Sequence, residues 1–80
     1  MRRLITVELR LPQPTPVNVS VYDVSGRLMR TLVDGTLGAG EQSVVWDGRA
    51  EDGSRAGAGI FFYSFRAAEV KETRKLVHLR

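Results

Sequence analysis

Eighty residues allow one domain with a modest core, and the 42% hydrophobic and 26% charged content is that of a folded chain. The absence of cysteine excludes a disulfide framework, a thiolate metal site and a cysteine nucleophile together. The net charge of +3 is confined to the end of the chain: residues 1–65 balance, while residues 66–80 set Arg66, Lys71, Arg74, Lys75 and Arg80 against Glu69 and Glu72.

The first segment, "LITVELRL", alternates with period two, so Ile5, Val7, Leu9 and Leu11 share one face of a strand and Thr6, Glu8 and Arg10 the other. Glu8 and Arg10 also break any apolar run long enough for a signal peptide, and no segment approaches the ~20 apolar residues of a transmembrane helix. "PQPTP" ends this strand, because prolines cannot donate to a ladder. "VNVSVYD" alternates again, with Val17, Val19 and Val21 inward and Asn18, Ser20 and Tyr22 outward. "DVSGR" reads as a tight hairpin turn in which Gly26 takes a left-handed conformation after Asp23.

"LMRTLV" is ambiguous in facing. Burying a central arginine costs more than burying a threonine, which predicts Met29, Thr31 and Val33 inward and Leu28, Arg30 and Leu32 outward. Asp34 and Gly35 open a glycine-rich connection, with room for a short strand at Thr36–Leu37. In "QSVVWD", Val44 and Trp46 point inward. The loop "WDGRAEDGSRAGAG" leads to "GIFFYSFRAA", where Phe61, Tyr63 and Phe65 form the core face and Ile60, Phe62, Ser64 and Arg66 the other. The last strand is expected from about Thr73 to Leu79, as an edge kept soluble by its charges. Six or seven short strands with glycine turns and no sustained 3.6 period predict an all-β antiparallel sandwich spanning residues 1–80.

The ordered set Tyr22-Asp23, Gly26-Arg27, Asp34-Gly35, Trp46-Asp47-Gly48, Asp52-Gly53, Gly59 with Tyr63, and Lys75 before a short apolar ending resembles a family pattern. It is similar to the immunoglobulin-like C-terminal sorting domains of type IX secretion and to the closely similar domain of the flagellar hook-capping protein. The match covers about Val17 to Arg80. The chain departs from the sorting pattern in having no asparagine-proline motif before its first strand and no proline shortly before Gly59. The resemblance implies a small immunoglobulin- or fibronectin-III-like sandwich, the C-terminal module of a larger bacterial parent that is secreted or displayed at the cell surface. It implies a non-catalytic role in sorting, surface attachment or assembly through protein contact with secretion or assembly machinery or with parent-chain domains, the alternative being a passive structural spacer.

Asp47, Glu51 and Asp52 are the candidate metal ligands, but an EF-hand spacing counted from Asp47 puts Arg49 where an oxygen ligand belongs. A phosphate loop would need a Gly-Lys-Ser/Thr ending and a following helix. Both aspartates precede glycine, a pairing that folds the carboxylate onto nearby backbone amides and makes a compact scaffold loop. The single histidine, His78, is placed on an edge strand without an activated nucleophile, so neither an enzyme nor a cofactor is expected. Exposed Tyr22 and Phe62 leave carbohydrate binding as a further alternative. The terminal cations alternate with glutamates and lack a stacking motif, which argues against nucleic acid. The expected partner surface is the last strand, through Arg74, Lys75, Leu76, Val77 and Leu79, as donor or acceptor of an added strand, with self-association through the same edge as a second outcome.

Overall fold

The computed structural model describes residues 5–78. It contains six strands: β1 (Ile5–Leu11), β2 (Thr15–Asp23), β3 (Leu28–Leu37), β4 (Gly40–Trp46), β5 (Gly59–Ala67) and β6 (Val70–His78). Strands β1 and β4 form a two-stranded antiparallel sheet, and β3-β2-β5-β6 form a four-stranded one in which every pair is antiparallel. The two sheets face each other as an all-β sandwich. Val7 of β1 and Val44 of β4 pack on Val19 of β2, and Trp46 closes one end over Val21, Met29 and Phe61. Leu11, Val17 and Ala67 close the other end.

Alternation explains most of this. Ile5, Val7, Leu9 and Leu11 lie on the covered face of β1, and Thr6, Glu8 and Arg10 are exposed opposite Val45, Ser43 and Glu41. Val17, Val19 and Val21 are buried in β2, while Phe61, Tyr63 and Phe65 of β5 all pack into the core. Strand β2 begins at Thr15, two residues earlier than the proline content predicts. Its ladder with β5 starts only at Val17, so Pro16 sits where β2 has a single neighbour and withholds no hydrogen bond from β5.

Strand β3 departs from the sequence expectation. Two register shifts interrupt its pairing with β2, one between Val19 and Ser20 and one between Val21 and Tyr22. At the first, Leu32 is the extra residue, and both Leu32 and Val33 pack on the core cluster around Val19. Thr31 is displaced onto the opposite face, across from Ser20. At the second shift Met29 is buried while Arg30 stands opposite Val21. The expected grouping of Met29, Thr31 and Val33 is therefore corrected at Thr31, and Leu32 is an inward residue. A bulge puts two residues where alternation allows one. The connection foreseen at Asp34-Gly35 is also corrected: both lie within β3, paired with Asn18 and Val17, and the turn into the other sheet is confined to residues 38–39.

The β2–β3 turn has the predicted form. The Gly26 amide donates to the Asp23 carbonyl (3.0 Å) and the Asp23 amide to the Arg27 carbonyl (2.9 Å), with Gly26 at φ +89°. This is a type I turn closed by a glycine bulge.

The facing of β3 is open to measurement. Leu32→Ala is expected to cost about 2 kcal/mol, the low end for a large-to-small change because Leu32 is only partly buried. Thr31→Ala is expected to stay within about 0.5 kcal/mol. Chemical denaturation of the two variants reads the difference, and a reversed order would contradict the bulge.

Candidate functional site

Residues 47–58 run from β4 in one sheet to β5 in the other, and this loop makes more polar contacts than any other connection among the described residues. It is built on Trp46. The indole is 1% exposed, packs edge-on against Phe61 with ring centroids 5.3 Å apart, and donates its Nε1–H to the Arg49 carbonyl at 2.9 Å. A buried indole needs a partner for its single donor, and the loop folds back to supply it. Beyond Arg49 the loop closes on itself as a miniature hairpin. The Ala50 amide donates to the Ser54 carbonyl, the Gly53 amide to the Ala50 carbonyl and the Ala56 amide to the Gly48 carbonyl, at 2.8, 2.9 and 2.9 Å.

The acidic residues are spent on this closure. Asp47 accepts the Arg49 amide at 3.0 Å and forms an ion pair with Arg30 at 3.2 Å, joining the loop to the β3 bulge. Asp52 accepts both the Ser54 hydroxyl (2.6 Å) and the Ser54 amide (2.9 Å). Asp23 does the same with Ser25 in the β2–β3 turn and accepts the Arg27 amide as well. In both aspartates the serine hydroxyl, followed by the backbone amides, holds the carboxyl below its ordinary pKa. Glu51 reaches elsewhere. Its amide donates to the Met29 carbonyl at 2.8 Å and its carboxylate accepts the Thr31 amide at 3.1 Å. The loop thereby satisfies outward backbone groups of β3, an edge strand of the four-stranded sheet. Asp47, Glu51 and Asp52 are thus pulled to three separate tasks, and no group of three or more ligating side chains exists among the described residues.

His78 lies on the edge strand β6, as expected, but is more than a surface residue there. It is half-buried at the end of β6, its ring 5.4 Å from Trp46 and 6.2 Å from Phe61 between centroids. Its Nδ1 lies 2.7 Å from the Gly57 carbonyl oxygen, which can only accept, so Nδ1 carries the proton. The ring also covers Gly48, whose φ is +80° and where an added Cβ would sit 2.8 Å from the imidazole. His78 and Trp46 therefore grip the two ends of the loop. Nothing in the spacing "WDG…VH" reveals this contact, which depends on β6 reaching the Trp46 end of the sandwich.

The remaining candidates fall into place around these. Gly53 lies in the small hairpin, Gly59 opens β5, and Tyr63 packs between the two larger core clusters. Tyr22 and Phe62 are cross-strand neighbours, and both are half-buried. On β6, Arg74 pairs with Glu72 at 3.3 Å, and Leu76 packs on the Trp46 cluster, which removes it from the expected contact surface. Lys75 and Val77 are exposed; Leu79 lies outside the described residues. The strand starts at Val70, not Thr73, and so adds Lys71 to the exposed edge, opposite Arg66 of β5.

A family model described as "FlgD Ig-like domain" matches residues 3–73. The chain belongs to the FlgD Ig-like domain family. A crystal structure of FlgD from P. aeruginosa is similar at 26% identity and a TM-score of 0.71, covering 94% of this chain and 59% of that one. The chain thus spans less than two thirds of the FlgD chain it matches. No curated protein matches it. In this FlgD Ig-like domain the family-pattern residues Trp46, Asp47 and Gly48 are the base of the clamped loop, and Asp23 and Gly26 make the β2–β3 turn.

Two predictions arise from the loop. Gly48→Ala is expected to destabilise by about 1–2 kcal/mol for the left-handed backbone alone, with a further penalty from the His78 ring. In a His78→Ala background the further penalty disappears, and a four-protein denaturation cycle reads the coupling. The carboxyls of Asp23 and Asp52 are held low in the folded state, so their turns contribute stability above the ordinary aspartate pKa and lose it as pH falls through the folded values, below about 4. Carbon-13 carboxyl titration should give midpoints under that of a free aspartate, and midpoints at or above it would contradict the hydrogen-bonded turns.

Proposed function

We propose that this domain is a non-catalytic scaffold of the hook-capping kind, one module of a longer exported parent, that works through protein contact. The observation that carries the reading is the employment of its polar side chains. Every acidic group of the long loop and the single histidine hold backbone in place. A catalytic constellation would instead direct a nucleophile and its base toward one reacting atom. Membership of the FlgD Ig-like family and likeness to a FlgD structure support a scaffold more than the sorting role that the type IX resemblance implies. The surface left for partners is backbone edge and exposed strand, which suits assembly.

Two measurements test this. The domain fused to an inert carrier in a bacterium with type IX secretion should leave the carrier inside, and delivery to the cell surface would restore the sorting reading. Photo-crosslinkers at exposed positions 71 and 75 of the full parent chain should capture a second protein in cells. Links only within the parent would reduce the domain to a passive spacer.

A further inference from the structure

The two edges of the four-stranded sheet are treated differently. At β3 the pairing carries two bulges, and Glu51 occupies the Met29 carbonyl and the Thr31 amide through its own amide and carboxylate. At β6 the register with β5 runs unbroken over nine residues, Gly59↔His78 to Ala67↔Val70. No backbone bond from any loop to its outer side occurs among the described residues. A long regular edge is the feature that natural sheets otherwise blunt with bulges, prolines or covering segments. This chain applies two of those devices to β3 and neither to β6.

Charge says what fits there. On the outer face of the sheet, β6 presents Lys71, Thr73, Lys75 and Val77, opposite Arg66, Ser64, Phe62 and Ile60 of β5. Arg66 and Lys71 are exposed and directly opposed, an arrangement of like charges that costs stability in a sheet. Neither of these, nor Lys75, forms an ion pair among the described residues, a state they share with Arg49 and Arg55 of the long loop, whereas Arg10, Arg27, Arg30 and Arg74 are paired. Beyond Lys75 the surface turns apolar, with Ile60 46% and Val77 55% exposed. Pairing β6 antiparallel with its own copy about Thr73 would set Lys71 opposite Lys75 twice. The inward Glu72–Arg74 pairs of that register would only offset the repulsion.

We propose that β6 is a docking edge for an extended acidic segment of another protein, added antiparallel as a fifth strand of the sheet. The assignment rests on the assembly reading above and names the partner's chemistry. The segment carries an apolar side chain beside Val77 and carboxylates two and six residues later, beside Lys75 and Lys71, with the second carboxylate also neutralising Arg66. Antiparallel addition continues the pairing of every neighbour in this sheet, and the main-chain ladder supplies affinity while the alternate side chains supply selectivity.

The test uses this chain with two synthetic peptides, identical threonine-rich strands with valine at the position facing Val77. One has glutamate, the other lysine, at the positions facing Lys75 and Lys71. Nitrogen-15 spectra should show the glutamate peptide shifting and protecting alternate β6 amides. The lysine peptide, or the variant K71E/K75E with the glutamate peptide, should bind about tenfold more weakly or worse, as expected for two exposed ion pairs lost and replaced by repulsion. Equal binding of both peptides, shifts mapping to β1, β4 or β3, or β6 protection arising from the chain alone as its concentration rises would each overturn the acidic-partner assignment. So would absence of binding by either peptide. These outcomes leave the assembly reading standing, because that falls only if crosslinking of the full parent captures no second protein.

Discussion

Burial of one indole organises more of this molecule than any other contact. Trp46 ends β4 at the rim of the sandwich, where its ring fills the space between Val21, Met29 and Phe61 and its lone donor would be stranded without an acceptor. The Arg49 carbonyl meets that need only if the chain reverses immediately after β4, so the path of the long loop is set by the side chain that precedes it. The reversal places Asp47 within reach of Arg30 and Glu51 beside the β3 edge. His78 then seals the other end of the loop by holding Gly57 against the same aromatic cluster. A loop of a dozen residues normally carries a large ordering cost. Here Asp47, Arg49, Asp52 and Ser54 each contribute a side-chain bond to its closure.

This arrangement shows how a loop with the composition of a ligand site is built as a self-closing turn. Clusters of aspartate, glutamate and glycine are what a metal or phosphate loop also contains, and the difference lies in whether the carboxylates converge. Asp52 bends toward its own Ser54, Asp47 toward Arg30, and Glu51 toward backbone on β3. The Asp-x-Ser turn at Asp23 repeats the Asp52 geometry in a place where nobody would seek a ligand site. Its recurrence argues that the motif serves chain reversal.

Period-two alternation was enough to read the covered faces of β1, β2, β4 and β5 correctly, because each of those strands runs regularly across an apolar layer. It failed at β3 for a definite reason. A bulge shifts the phase of alternation without any single residue announcing it, and Leu32 and Thr31 exchange faces as a result. Asp34-Gly35 looked like a turn because those residues favour turns locally, yet pairing with Asn18 and Val17 carried the strand past them. The His78–Gly57 contact joins residues 21 positions apart and depends on tertiary packing, so no local pattern encodes it. The charge excess was visible at once, but its meaning was not. Only the β5–β6 register sets Arg66 opposite Lys71 and separates both from Glu72, which lies on the other face.

The two sheet edges differ in how they treat their outer backbone. An assembly module must leave some backbone unpaired for its partner and yet avoid pairing with itself. At β3 the chain removes the hazard outright, by bulging the strand and covering it with Glu51. At β6 it keeps the backbone regular and places Lys71 and Lys75 on the outer face, where a copy of the strand would meet repulsion and an acidic strand attraction. The residual strain of Arg66 against Lys71 is then not a defect of the sheet. In the proposed docking it becomes part of the interface, and a carboxylate from another chain is the simplest group that relieves it.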